Sequence, residues 1–168
     1  MTISAAMVKD LRERTGLGMM ECKVALTETN GDMDAAIDLL RKKAGSKVEK
    51  KAGRTAAEGA VGVCLSPDRK LAAMVEINSE TDFVAKGEDF QAFANAVAVA
   101  ISQSNPADVN AVNDLKLASG ETVSKAREAL VSKLGENIGV RRFVRKAASN
   151  GQIATYVHGR KIGVMVEV

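Results

Sequence analysis

The sequence predicts an α+β protein, in which a small N-terminal unit of three helices and a basic linker precede a core of antiparallel hairpins with packed helices. Helical spacing of apolar residues within 4–44 indicates the first unit. A basic segment at 41–54 and two similar hairpin patterns indicate the rest. The predicted units are 1–45, the linker 46–58, the first half of the core 59–146, and the start of a second half-core 147–168.

Three helical patterns predict the N-terminal unit. Ser4 can cap the first helix, which ends at Thr15-Gly16. The second helix covers 19–29, and Asp32 caps the third. The apolar face of the third helix consists of Met33, Ala36, Ile37, Leu40 and Ala44. Because a unit of about forty residues has a thin core, we expect it to dock a partner and not to catalyse a reaction.

The link between the first two helices ends in two large flexible residues, Met19 and Met20, which follow Gly18. Both side chains can serve the core of the three helices. Neighbouring residues on a helix point about 100° apart, however, so one of them can also face outward as an adaptable contact surface. The sequence leaves core and contact as equal alternatives.

Charge is distributed unevenly along the chain. Residues 41–54 hold seven basic side chains and the single acid Glu49, a net +6, whereas the whole chain carries +3. Such a segment can contact phosphates or an acidic protein face. We favour a solvated linker, because no aromatic residue is interleaved for base stacking. A second basic group, Arg141, Arg142, Arg145 and Lys146, can also bind phosphate, but we favour the solvated face of a strand.

Two hairpin patterns follow the basic segment. In the first, the turn residues Ser66-Pro67-Asp68 separate the β-rich runs 59–65 and 71–77. In the second, a turn separates 151–157 from 160–168. Both patterns therefore predict two antiparallel strands.

The two hairpins also resemble each other in sequence. With a gap of one residue, Arg69-Lys70 aligns with Arg160-Lys161, and Met74-Val75-Glu76 aligns with Met165-Val166-Glu167. This internal repeat predicts a duplicated half-domain. A hairpin needs a helix or more strands over its apolar face. We therefore expect that the second copy is incomplete, either because the chain is truncated or because another chain covers that face.

A bulky aromatic residue stands where the first hairpin meets a helix, at Asp82-Phe83. Residues at such a junction are held by the scaffold while their side chains stay free, so Phe83 is a candidate binding residue. The helix that follows has an apolar face of Phe90, Phe93, Ala94, Val97 and Ile101.

Three more elements are predicted before the second hairpin. Asn105 as the cap, Pro106 in the first turn and Asp108 near the positive end of the dipole predict a short helix at 106–116. Another helix is predicted at 121–134, and alternation predicts a strand at 138–146.

The sequence contains no signature of catalysis. A P-loop, a dinucleotide fingerprint and Cys-x-x-Cys pairs are all absent, and His158 is the one histidine. We therefore expect no enzyme activity, no cofactor, no metal site and no small-molecule substrate. Cys22 and Cys64 show no metal spacing and are predicted to be reduced. Neither a bilayer-spanning apolar run nor a signal pattern occurs, which favours a cytoplasmic protein without membrane contact.

Four sequence blocks resemble the elongation factor Ts family. The first is Leu11-Arg12-Glu13-Arg14-Thr15-Gly16-Leu17-Gly18-Met19-Met20-Glu21-Cys22-Lys23, and the second is Glu80-Thr81-Asp82-Phe83-Val84-Ala85-Lys86. Gly135-Glu136-Asn137-Ile138 with Arg141-Arg142, and His158-Gly159 with Ile162-Gly163-Val164, are similar to later family blocks. The resemblance runs collinearly over the whole chain.

This resemblance implies a fold and a function. It implies a ubiquitin-associated-like N-terminal domain, a core of two related halves, and guanine nucleotide exchange on the GTPase elongation factor Tu. By the family pattern Phe83 enters the nucleotide-binding domain of the partner and disturbs its magnesium site. The residues implied in partner binding are Arg12, Met19, Met20, Lys23, Thr81, Asp82, Phe83, Val84, His158 and Gly159.

Two alternatives to nucleotide exchange stay open. One is an RNA-binding module of the translation machinery that uses 41–54 and 141–146, although nucleic acid is not the partner we favour. The other is an adaptor that docks a partner without changing its nucleotide state. Because short members of the family pair two chains, a homodimer is also an expectation.

Overall fold

The computed structural model describes residues 2–168, which form helices and antiparallel strands as the α+β prediction requires. The helices are α1 (Ala5–Thr15), α2 (Met19–Glu28), α3 (Met33–Lys51), α4 (Asp82–Lys86), α5 (Glu88–Ser104), α6 (Val109–Val112) and α7 (Val123–Leu134). The strands are β1 (Glu58–Leu65), β2 (Leu71–Ser79), β3 (Gly139–Ala147), β4 (Ile153–His158) and β5 (Ile162–Glu167).

Helices α1, α2 and α3 pack around a small core of their own. Its fully buried side chains are Leu11, Cys22, Ala25, Leu26 and Ala36. The predicted caps are present, since the side chains of Ser4 and Asp32 accept hydrogen bonds from the backbone amides of Met7 and Ala35. The N-terminal three-helix prediction is therefore confirmed, and Cys22 packs as a small apolar side chain.

Helix α3 continues well into the segment that the sequence predicts to be a linker. It passes through Gly45 and ends at Lys51, so 46–51 is helical. Val48 packs against the main core, and the Lys51 ammonium donates a hydrogen bond of 2.5 Å to the carbonyl of Gly135. Residues 46–51 are thus attached to the core, while the division into the four predicted units stays a prediction.

The main core lies between a three-stranded sheet and helices α5 and α7. The strand order is β1-β2-β3, with antiparallel pairing throughout. The predicted apolar face of α5 is buried on this sheet, through Phe90, Phe93, Ala94, Val97 and Ile101. β1 approaches α5 so closely that a Cβ on Gly62 would lie 2.3 Å from the carbonyl oxygen of Ala94. Glycine is required there by space, because the two backbones are in contact.

The second hairpin, β4–β5, covers the other face of the same sheet. Ile153 is fully buried, and a Cβ on Gly163 would lie 2.9 Å from a methyl group of Val61 and 3.0 Å from the sulfur of Met74. The backbone amide of Val61 also donates to the carbonyl of Arg160 over 2.8 Å. The outer face of this hairpin is exposed and apolar, with Tyr156, Ile162, Val164 and Val166.

Backbone geometry supports the predicted repeat of the two hairpins. Arg69 and Arg160, which align in the repeat, both adopt the left-handed conformation, with φ of 57° and 63°. This region is uncommon for a residue with a side chain, so its recurrence at aligned turn positions is informative. Val75 and Val166 also align, yet the first is buried under α5 and the second is exposed.

The region between α5 and α7 differs from its prediction. Asn105 ends α5 in the left-handed conformation, with φ of 49°, and does not cap a following helix. Asp108 takes that role, and its carboxylate accepts from the amide of Ala111 at the start of a helix of only four residues. The predicted helix at 106–116 was therefore too long. The predictions of α7 and β3 are confirmed to within two residues at each end.

An ion pair near the end of β5 gives a testable pH dependence. The hydrogen bond from Lys146, together with that from the Ser149 amide, lowers the pKa of Glu167 from its usual 4.5 to about 2. A depressed folded-state pKa means that this carboxylate stabilises the fold fully above pH 4.5 and loses its contribution as the pH falls toward about 2. We expect a carboxyl ¹³C NMR titration to show this low pKa.

The Lys146→Met variant should raise the pKa of Glu167 toward its usual value, because the hydrogen bond that lowers this pKa most is removed. Lys125→Met, which changes an exposed lysine of α7, is the matched control and should leave the titration unchanged. A midpoint near 4.5 in the unsubstituted chain would contradict this account of the ion pair.

Candidate protein-binding site

Among the large apolar side chains of residues 2–168, Phe83 is the most exposed to solvent. It is 85% exposed, whereas Phe90 and Phe93 are buried and Phe143 is half-buried. Leaving such a ring in water forgoes about 2 kcal/mol of burial free energy. An aromatic side chain held in the solvent by an ordered backbone is typical of a contact that a partner completes.

The residues beside Phe83 hold it in this position. We call 79–86 the junction segment. Thr81 caps α4, because its hydroxyl accepts from the amide of Val84 over 3.3 Å, and the Ser79 hydroxyl donates to the carbonyl of Thr81 over 3.0 Å. Val84 and Ala85 are buried in the main core. The short helix therefore has an anchored face and an outer face, and Phe83 lies on the outer one.

Asp82 shares the outer face with Phe83 and lies among cations. Its carboxylate accepts a hydrogen bond of 2.6 Å from the ammonium of Lys86, one turn later. This bond, followed by the charges of Lys86 and Lys161, lowers the pKa of Asp82. Asp82 is therefore ionised at neutral pH, and any partner that binds this carboxylate must compete with Lys86.

The turn of the second hairpin comes near the same carboxylate. Lys161 donates a hydrogen bond of 2.5 Å to Glu58 on β1, which raises the pKa of Lys161, and the negative charge of Asp82 adds to that effect. His158 and Gly159 precede it in this exposed turn, and the ring of His158 hydrogen-bonds the hydroxyl of Tyr156 over 3.1 Å. The fold thus brings the predicted residues of the second hairpin toward the junction segment.

Lys161 was not among the residues predicted to bind a partner. Its alignment with Lys70 in the repeat marked a turn position and not a contact with Asp82. The pairing with Glu58 joins residues 103 positions apart. No local sequence signal could have indicated it.

The predicted residues of the N-terminal unit form a second, separate surface. Met19 and Met20 are 57% and 68% exposed, so both point outward, and the core alternative does not hold for either. Arg12 and Lys23 are exposed as well. Beside them, α2 and α3 enclose a shallow groove of about 240 Å³, lined by Leu17, Met20, Glu21, Val24, Leu40, Lys43 and Lys47.

The two basic segments are largely occupied by contacts within the chain. In the first, Lys43 pairs with Glu28, Lys47 with Glu21, Lys51 with the Gly135 carbonyl, and Arg54 with Glu80. In the second, Arg142 pairs with Glu76, Arg145 with the Ser102 carbonyl, and Lys146 with Glu167. The ion pairs among these contacts offset part of the charge on which the RNA-binding alternative depends.

The described residues hold little that suggests other chemistry. Within 2–168, no group of three or more His, Cys, Asp or Glu could hold a metal ion. Over the same residues, no helix combines the length and apolarity needed to cross a membrane. Cys22 and Cys64 are free thiols in this part of the chain.

Comparison with protein families decides which family is involved. The family model described as Elongation factor TS matches residues 80–168, more than half of the chain, and the match begins at the junction segment. The chain belongs to the elongation factor Ts family. The matched region includes Phe83, α5, α7 and the second hairpin, so the junction segment and the turn at His158 both lie within the family's shared sequence.

Individual relatives extend this similarity to the N-terminal unit. Elongation factor Ts of Thioalkalivibrio sulfidiphilus is 58% identical over 169 residues, which cover 100% of this chain and 57% of the relative. That of Methylococcus capsulatus is 53% identical, with coverage of 100% and 57%. That of Arthrospira platensis is 56% identical, with coverage of 98% and 66%. The chain therefore spans little more than half the length of the first two relatives.

Proposed function

We propose that the chain binds elongation factor Tu and promotes the release of GDP from it, as a nucleotide exchange factor of translation elongation in the cytoplasm. The observation that carries this proposal is the exposure of Phe83 on a helix whose other side is buried. The family implies that this Asp-Phe pair enters the partner near its magnesium and nucleotide site. A rigidly held, solvated aromatic ring suits that insertion.

Exchange of this kind requires binding and no bond chemistry. A factor that binds the nucleotide-free partner more tightly than the nucleotide-bound partner weakens nucleotide binding by the same factor, because the two equilibria are linked. Phe83 meets this requirement if its pocket opens only when the metal site is distorted. The chain then acts by binding and not as an enzyme, with no cofactor of its own.

The second surface is proposed to dock the same partner. Met20 lines an apolar groove whose edges carry Glu21, Lys43 and Lys47, a combination that suits a helix of the partner, and Arg12, Met19 and Lys23 are exposed on the same three-helix unit. We further infer that α1, α2 and α3 form a domain of the ubiquitin-associated type. Once the N-terminal unit has docked on the partner, insertion of Phe83 becomes an intramolecular step. Docking therefore raises the effective concentration of Phe83 at its target.

Thr81, Val84, His158 and Gly159 complete the proposed contact region. Thr81 and Val84 support the contact by holding α4 in place, since Thr81 caps this helix and the buried Val84 anchors it to the core. His158 and Gly159 lie on an exposed turn and are proposed to add a weaker contact. A homodimer stays a prediction.

The test is the release of a fluorescent GDP analogue from elongation factor Tu. The intact chain should accelerate release, and the Asp82→Ala/Phe83→Ala double variant should abolish most of that acceleration. Asn95→Ala/Gln103→Ala, at two exposed positions of α5, is a control that leaves the junction segment and its contacts unchanged. Circular dichroism of each variant checks that the fold is retained.

Binding measured in parallel separates the alternatives. If the intact chain binds elongation factor Tu but does not accelerate release, the adaptor alternative replaces exchange. If it neither binds nor accelerates release, the proposed function is wrong for this chain. Binding to RNA that weakens steeply with salt and does not depend on Phe83 would favour the RNA-binding alternative.

A further inference from the structure

Glu136 binds the backbone that leads into the junction helix. One of its carboxylate oxygens accepts hydrogen bonds from the amides of Glu80 and Thr81, both over 3.0 Å. The other oxygen accepts a hydrogen bond of 2.6 Å from the hydroxyl of Thr81. A side chain 55 residues away in sequence from Thr81 thus satisfies three donors in two successive residues of this segment.

The contact is reciprocal and includes the residues that follow α3. The carboxylate of Glu80 accepts from the amide of Asn137 over 2.7 Å and pairs with Arg54 at 3.5 Å. The side-chain amide of Asn137 donates over 2.8 Å to the carbonyl of Arg54. Three chain segments, 52–54, 80–81 and 135–137, therefore meet at one polar node.

Glu136 also sets the cap of α4. The Thr81 hydroxyl donates a hydrogen bond to Glu136. The lone pairs of the hydroxyl oxygen are therefore free to accept from the amide of Val84. A helix of five residues has no stability of its own in water, because helix nucleation is unfavourable. The direction of Phe83 therefore depends on the anchored residues Val84 and Ala85 at one end and on Glu136 at the other.

We propose that Glu136 is the positioning residue that holds Asp82 and Phe83 ready for insertion into the partner. This inference rests on the proposed exchange function. Without the carboxylate, the amides of residues 80 and 81 lose their acceptor and the cap loses its oriented hydroxyl. The junction segment then has to be ordered when the partner binds, and this cost lowers the rate that insertion can reach.

Two variants of Glu136 distinguish positioning from general support of the fold. Glu136→Ala removes both carboxylate oxygens that accept from residues 80 and 81. We expect the maximal rate of GDP release to fall about tenfold, while the concentration of the chain that gives half of this rate changes less. Glu136→Gln keeps a carbonyl oxygen for the two amides and an NH₂ group for the Thr81 hydroxyl, so it should restore most of the rate. Glu121→Ala, at an exposed acid, is the control and should match the unsubstituted chain.

A second measurement uses the free chain and does not depend on elongation factor Tu. In hydrogen–deuterium exchange followed by NMR, Glu136→Ala should exchange the amides of Glu80, Thr81 and Val84 at least about tenfold faster, with α5 unchanged. Glu136→Gln should keep most of the protection at residues 80 and 81.

The outcomes separate this inference from the proposed function. If the intact chain does not accelerate GDP release, the exchange function is wrong, and the amide measurement still decides whether Glu136 holds the junction segment. Unchanged protection in Glu136→Ala overturns the positioning role. So does a loss of protection that extends equally into α5, or a loss confined to the junction segment with an unchanged maximal rate.

Discussion

Replacing Phe83 by alanine should lower the maximal acceleration of GDP release about thirtyfold while leaving the stability of the free chain unchanged. The ring is 85% exposed, so its removal deletes almost no internal packing. A central aromatic contact contributes about 2 kcal/mol or more on truncation, which corresponds to that change in rate. The measurement is the dependence of the release rate on the concentration of the chain, together with urea denaturation of the free variant.

Phe90, seven residues later, is the matched control. It is fully buried under the sheet, so Phe90→Ala should cost about 3–5 kcal/mol of unfolding free energy through lost burial and a cavity. Phe83→Ala should therefore lose exchange activity and keep its stability, whereas Phe90→Ala should lose stability. If Phe83→Ala unfolds at lower urea and exchanges normally, Phe83 is a structural residue and the proposed insertion is wrong.

Replacing Gly62 by alanine should give a large loss of stability. The added Cβ would lie 2.3 Å and 2.6 Å from the carbonyl oxygen and carbon of Ala94, which are backbone atoms of α5. A flexible side chain could move aside, but this helix is fixed on the sheet by the buried Phe90, Phe93 and Val97. We expect the change to cost about 3 kcal/mol of unfolding free energy, at the upper end of the range for overpacking.

The Gly139→Ala variant separates this clash from the general effect of replacing a strand glycine. Gly139 begins β3, has no left-handed φ, and would have nothing within 4 Å of an added Cβ. Its substitution should change the unfolding free energy by less than about 1 kcal/mol. Equal destabilisation of the two variants, measured by urea denaturation, would show that the spacing between β1 and α5 is not what requires glycine at position 62.

Elements with a clear period were predictable because a single apolar face dominates each of them. The spacing from Phe90 to Ile101 identified the buried face of α5, and the alternating runs with turn residues identified both hairpins. The region at 105–116 was misjudged because Asn and Asp are both good at ending and at starting helices. The choice between Asn105 and Asp108 as cap depended on where α5 ends, which is decided by its packing.

The sequence by itself determined the α+β class, the order of the principal helices and strands, the repeat of the two hairpins and the position of Phe83 at a junction. These features follow from local spacing, turn chemistry and motif order. Only the tertiary structure decided that both Met19 and Met20 face outward, that α3 extends to Lys51 and that Lys161 lies near Asp82. It likewise decided that Glu136 binds the residues before Phe83. Each of these depends on contacts between residues far apart in the chain, for which local periodicity carries no information.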